Sequence, residues 1–270
     1  MTGLRRLPVL AGGLACALLL AACGGLGAAP PRETSVPKVP IRRATPTATA
    51  RPTATVRPTA TVRPTATPAG VADAGYVTIP AGAGLAAFRI SRTEVTNAQY
   101  ARCVAAGACT EPEVHVHCEV SYRDAALAGH PVVCVTHGQA RAYAAWAGGA
   151  LPTDAQWTRA CQGDDGRTYP WGEAAPDASR ANYGWDTDLT NDATMPVGMF
   201  PADTSPYGLL DMAGNVAEYV ESDDGDEQRS IVRGGAYYVI PENITCATRI
   251  EYGTDGSSRD VGFRVALSGD

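Results

Sequence analysis

The sequence predicts one α+β domain of short strands and short helices, with much irregular chain between them. Short apolar stretches with strand alternation stand near both ends of residues 73–270. Apolar residues at helical spacing appear between them, and glycine, proline and acid-rich segments fill the rest. About 200 residues is enough for one well-buried domain.

In chain order, Tyr76-Val77-Thr78-Ile79-Pro80 alternates as a strand, and Phe88-Arg89-Ile90 continues a sheet. Glu94-Val95-Thr96-Asn97-Ala98-Gln99-Tyr100 predicts a helix that begins at the capping residue Thr96. Residues 110–130 are irregular. Thr136 to Ala147 carries Ala140, Tyr143, Ala144 and Ala147 at helical spacing and is closed by Gly148-Gly149. Leu151-Pro152-Thr153-Asp154-Ala155-Gln156-Trp157 starts another helix, with Thr153 as cap and Gln156 completing a capping box. Ile231 and Val232 predict a strand running into the tight turn of Arg233-Gly234-Gly235, where glycine permits a backbone that side chains forbid. Gly262-Phe263-Arg264-Val265 reads as one last strand that finishes the domain.

Two segments precede the domain. Residues 1–23 read as an export signal: Arg5 and Arg6, then the apolar run Leu7 to Leu20, then the small residues a signal peptidase needs. Leu20-Ala21-Ala22-Cys23-Gly24 resembles a bacterial lipobox, which implies that Cys23 is lipidated. The apolar run is shorter than the roughly 20 residues of a spanning helix, so the expectation is a membrane attachment through acyl chains in the cell envelope, on the periplasmic or outer surface. Residues 24–72 read as a disordered stalk. Arg-Pro-Thr recurs at 51–53, 57–59 and 63–65, apolar residues are too few for a core, and the prolines favour extended polyproline II. At about 3.1 Å per residue such a stalk reaches on the order of 150 Å.

Charge divides the chain. Residues 1–70 hold nine Lys and Arg against Glu33 alone, a net of +8; residues 71–270 hold 13 Arg against 27 Asp and Glu, a net of −14. The acidic domain disfavours nucleic acid as a partner. Acid excess suits calcium, a hard cation that takes oxygen ligands.

Six cysteines remain beyond the signal: Cys103, Cys109, Cys118, Cys134, Cys161 and Cys246. An even number in an exported chain predicts a disulfide framework, and the absence of Cys-x-x-Cys weighs against a zinc site or a redox pair. His115-Val116-His117, whose alternation puts both imidazoles on one strand face, forms with His130 and His137 a metal suggestion that lacks a carboxylate at a telling spacing. Surface histidines are the better reading.

LPTDAQW (151–157), YPWG (169–172), SPYGLLDMAGNVAEY (205–219), the Arg-Gly-Gly turn and the Gly-Phe-Arg ending, in this order, resemble the sulfatase-modifying-factor family, which includes the formylglycine-generating oxidase. The resemblance implies a formylglycine-generating-enzyme-like (C-type-lectin-like) fold. It implies a disulfide between Cys161 and Cys246. Cys103 with Cys109 then reads as a local staple, which leaves Cys118 with Cys134, a pairing the sequence alone keeps open. A further family disulfide maps to Ala144 and Val265, both cysteines being absent together. Two calcium loops are implied: Asn182, Tyr183 and Asp188 in an Asp-rich run, and Asp211, Gly214, Val216 and Glu218, two carboxylates with two backbone carbonyls.

At the centre of the family's chemistry the chain departs. The oxidase binds copper(I) through two cysteine thiolates after Arg-Gly-Gly, soft ligands for a soft ion. Those positions hold Val239 and Ile244, and a family serine near the oxygen pocket is Ala236. No copper is expected. The resulting expectation is a non-catalytic, calcium-stabilised module that binds a peptide, glycan or protein through Tyr237, Tyr238, Arg249 and Tyr252; the alternative is an oxidoreductase or divergent enzyme with a rebuilt site.

Overall fold

A computed structural model describes residues 75–115, 118, 122–184, 193–226 and 229–269. Cys23 and the stalk, His117, Asp188 and the other acids of its run lie outside the described residues.

The elements are β1 (Tyr76–Ile79), β2 (Phe88–Ser91), α1 (Asn97–Ala105), α2 (His137–Trp146), α3 (Asp154–Gln162), β3 (Ala217–Val220), β4 (Ser230–Arg233), β5 (Arg249–Tyr252), β6 (Val261–Phe263) and β7 (Ala266–Ser268). Two single 3-10 turns, Ala125–Leu127 and Pro241–Asn243, interrupt the loops. All three α-helices start alike. Thr96, Thr136 and Thr153 each accept from the amide three residues on, and Gln99, Gln139 and Gln156 reach back to the cap amides. Each box satisfies two donors that a helix start otherwise orphans.

One sheet has the order β1-β2-β7 and is antiparallel throughout; the other has the order β5-β4-β3-β6, with β3 and β6 parallel. The ending from 262 to 265 is therefore not one strand. Gly262 and Phe263 pair with β3 in one sheet, and β7 begins three residues after Phe263 in the other. Arg264 and Val265 are the crossing: the Ser91 amide donates to the Val265 carbonyl, and Arg264 turns its side chain into the core.

Two apolar clusters fill the domain. In one, Tyr100 of α1 stacks on Tyr143 of α2 at 5.6 Å, and Phe263 of β6 meets Tyr143 edge-on at 5.4 Å. Ala144 and Val265 are both buried in this cluster, where apolar contact replaces the missing family disulfide. In the other, Trp157 of α3 packs with Ile79, Ile90, Leu209, Met212 and Ile231 around Cys161 and Cys246. The disulfides are Cys103–Cys109, Cys118–Cys134 and Cys161–Cys246, with Cα separations of 5.3, 5.6 and 5.6 Å, inside the range a bridge needs.

Candidate functional site

The Arg-Gly-Gly turn determines how the loop after β4 lies. Gly234 and Gly235 have φ of +84° and +71°, in the left-handed region. A Cβ on Gly235 would collide with the Asn243 carbonyl, so glycine is what lets the chain fold back on itself there. The fold-back buries Ala236 and Ile244 completely. Ile244 packs with Ala181 and Ala213, and Val239, Tyr169, Trp171 and Tyr183 pack against them. The two positions of the family's copper ligands thus fall in one cluster, and that cluster is apolar. Cys246 does not supply a thiolate, being fully buried in its bond to Cys161.

In the second predicted calcium loop, Glu218 faces a cation of the protein's own. Arg264 is fully buried and directs its guanidinium at Glu218, with Nε 2.6 Å from Oε2 and Nη2 2.5 Å from Oε1. The same guanidinium donates to the carbonyls of Ser91, Arg92, Leu210 and Asp211, and the Trp157 indole donates to Glu218 Oε2 at 2.6 Å. Both oxygens of Glu218 are thus already engaged by hydrogen bonds from the protein itself. Asp211 accepts from the Gly198 amide at 2.6 Å, and the Val216 side chain is buried against Cys118, Val133 and Cys134.

Gly214 (φ +78°) sits where a Cβ would collide with the Asn182 carbonyl, so the two predicted loops touch. Asn215, not singled out by the sequence, fastens them. Its amide donates to the Asn182 carbonyl at 2.8 Å, and its side chain donates to Glu94 Oε1 at 3.0 Å. Asn182 Oδ1 is buried without a hydrogen-bond partner. Such an oxygen fits calcium, and the first loop offers it on Asn182, whereas Glu218 in the second is already engaged.

A buried acid cluster surrounds Arg264. Glu94, Asp203 and Asp211 are 1–2% exposed, and Glu94 Oε2 and both Asp203 oxygens lack partners. Burial, then the charges of Asp211 and Glu218, push Glu94 well above the ordinary carboxylate range; burial and Asp211 do the same to Asp203. Burial also raises Asp211. One arginine cannot balance four carboxylates in a dry interior, and Glu94, Asp203 and Asp211 are the three shifted toward their neutral forms.

The histidines do not converge. His130 Nδ1 lies 3.0 Å from Thr194 Oγ1, His137 is buried at the start of α2 facing Glu221 at 3.8 Å, and His115 Nε2 lies 3.0 Å from Ser257 Oγ. Among the described residues, no group of three or more His, Cys, Asp and Glu is placed to hold a metal ion.

Of the predicted ligand-binding residues, Tyr237 is 1% exposed and belongs to the core rather than to a surface. Tyr252 is half-buried against Tyr219. Arg249 is on β5, where it pairs with Asp154 at 2.8 Å, and Asp154 also faces Arg233 at 3.0 Å. Tyr238 alone of the four is an exposed aromatic, and its hydroxyl donates to Asp260 at 2.7 Å. Ser258 also donates to Asp260, and Ser257 donates to Glu113 at 3.0 Å while meeting His115. This polar rim beside Tyr238 was not read from the sequence. Its residues come from three loops, and no spacing along the chain joins them.

Residues 55–268 match the family model described as a sulfatase-modifying factor enzyme 1-like domain, and the chain belongs to that family. It is 37% identical over 163 residues to the hercynine oxygenase of Mycolicibacterium thermoresistibile, a match covering 50% of this chain and 36% of that protein. It is 33% identical over 172 residues to the formylglycine-generating enzyme of Mycobacterium tuberculosis, covering 51% of this chain and 57% of that one. The chain thus spans about a third to just over half the length of these relatives. The solved structure of PvdO from Pseudomonas aeruginosa superposes with a TM-score of 0.56 at 22% identity, covering 72% of this chain and 92% of that one. The fold is that of the formylglycine-generating enzymes.

Proposed function

We propose that this member of the sulfatase-modifying-factor family is a non-catalytic binding module, exported and held at the cell envelope by a lipid on Cys23. One observation carries the loss of chemistry. Val239 and Ile244 share an apolar cluster where the resemblance requires two thiolates, and hydrocarbon side chains cannot ligate copper(I). The ligand is a peptide, glycan or protein, and the surface that supports this reading is the rim of Tyr238, Asp260, Ser257 and Glu113. An exposed tyrosine beside oriented hydroxyls and carboxylates offers both an apolar contact and directional hydrogen bonds. Calcium is proposed at the first loop alone, through Asn182 Oδ1 and the Tyr183 carbonyl with Asp188. There it would act as a clamp on the chain, with no part in chemistry.

The test uses the full chain in detergent, incubated with copper(I) or iron(II), oxygen and cysteine-containing peptides, followed by mass spectrometry. The expected result is unmodified cysteine. Formylglycine in the product would overturn the reading. Metabolic labelling with a fatty acid, lost in Cys23→Ser, checks the anchor.

A further inference from the structure

The half-buried residues that pack against Ile244 also form a surface feature that the rim at Tyr238 does not use. Tyr169 and Trp171 stack at 5.1 Å with an interplanar angle of 1°, both half-buried. Val239 extends the same patch, and Ile240, beside it in the chain, is 48% exposed. Two carboxylates border it. Glu173 accepts from the Thr168 amide and hydroxyl at 2.8 and 2.7 Å, and those bonds hold it below the ordinary carboxylate range, so it is charged at neutral pH. Glu242, on the Pro241–Asn243 turn, is exposed. Burial, followed by the charges of Glu242 and Glu173, raises the Tyr169 hydroxyl, which places both acids within electrostatic reach of the aromatic pair.

Flat aromatic pairs rimmed by acid suit one kind of ligand: an extended peptide that alternates rigid apolar residues with cations. Polyproline II segments dock on aromatic-lined grooves because their shape is formed in advance and little entropy is lost on binding. This chain carries such a segment. Its repeat Arg-Pro-Thr-Ala-Thr-Val has a period of six, and polyproline II has three residues per turn. The period is therefore two whole turns, about 19 Å at about 3.1 Å per residue. In that conformation Arg51, Arg57 and Arg63 would share one ridge, Pro52, Pro58 and Pro64 a second, and Val56 and Val62 a third. The charges also complement: +8 over residues 1–70 against −14 over residues 71–270.

We propose that the Tyr169–Trp171 patch binds the Arg-Pro-Thr repeat of a second copy of this chain. Prolines and valines lie on the aromatic pair, and arginines meet Glu173 and Glu242. Three repeats against one patch per chain leave repeats open to neighbouring copies, so the contact gathers copies on a membrane surface. It does not depend on what binds at Tyr238.

The experiment titrates a labelled peptide of residues 51–66 into the full chain in detergent, following label anisotropy, and measures self-association by sedimentation. The expected result is saturable binding that weakens several-fold in Glu242→Lys and more than tenfold between low and high salt. Self-association should fall when Arg51, Arg57 and Arg63 are all changed to Glu. Trp171→Leu removes the platform, while Glu242→Lys, at an exposed position, serves as the variant that keeps the fold. No saturable binding, or binding unmoved by both salt and Glu242→Lys, overturns the proposal. So does self-association that persists in the triple Arg→Glu chain, which would assign assembly to another surface.

Discussion

Glu218 and Arg264 form an ion pair closed off from solvent, their side chains 1% and 0% exposed and their nearest atoms 2.5 Å apart. The two residues sit on either side of the β3–β6 pairing, since Glu218 faces Gly262 and Arg264 follows Phe263. The bridge therefore ties the last crossing between the sheets to an inner strand of the larger one. Removing one partner of such a pair leaves an uncompensated charge in the core, at a cost of about 3–5 kcal/mol. Arg264→Met and Glu218→Leu should each lose stability on that order in urea denaturation. The double variant should recover part of the loss, because an apolar pair has no charge to desolvate. Additive losses would show that the pair does not act as a unit.

The same relationship separates the two loops implied to bind calcium. Arg264 supplies the positive charge at Glu218, whereas Asn182 offers a buried oxygen without a partner. Calcium should raise the melting temperature of the wild-type chain, since a ligand that binds only the folded state stabilises it by mass action. That increment should survive in Glu218→Gln, from a lower baseline, and vanish in Asn182→Ser. Thermal scans with calcium and with chelator read the difference directly.

Helix starts were legible because they are local: a threonine followed three residues later by glutamine specifies a capping box whatever the tertiary context, and Thr153 with Gln156 showed it plainly. Strands β3 and β5 were not. Ala217–Val220 is buried along its whole length and so lacks the alternation that announces a half-buried strand, and Arg249–Tyr252 is a largely exposed strand at the sheet edge. The change of sheet at Arg264 was hidden for a related reason, since Gly262 to Val265 is continuous apolar-flanked sequence and only partner strands reveal the break. At the site, the loss of thiolates at Val239 and Ile244 was readable position by position. The cation that faces Glu218 was not, because Arg264 lies 46 residues away along the chain.

Disulfide contributions should follow loop length. Cys161–Cys246 closes a separation of 85 residues and Cys103–Cys109 one of 6. If the bridges act by restricting the unfolded chain, their removal costs about 4.5 and about 2 kcal/mol respectively. Urea midpoints of the paired Cys→Ser variants check the order. A larger loss from Cys103→Ser/Cys109→Ser would show that native-state contacts outweigh chain entropy.

The buried acids around Arg264 make stability depend on pH in a stated direction. Glu94, Asp203 and Asp211 hold protons in the folded chain that the unfolded chain releases, because burial raises all three. Their contribution is complete below the ordinary carboxylate range and is lost as pH rises toward the folded values. Glu173, Asp177 and Asp224 act oppositely: hydrogen bonds from Thr168, Ser179 and Ser222 lower them, so their contribution is lost as pH falls. Stability should accordingly pass through a maximum in the acidic range and decline as pH rises above it. Asp203→Asn replaces the group whose two oxygens have no partner with a neutral amide of the same shape, which should flatten the alkaline limb while leaving the acid limb in place. Urea midpoints across the pH range, wild type against Asp203→Asn, measure both limbs. An alkaline limb equally steep in the variant would show that Asp203 is already ionised in the folded chain.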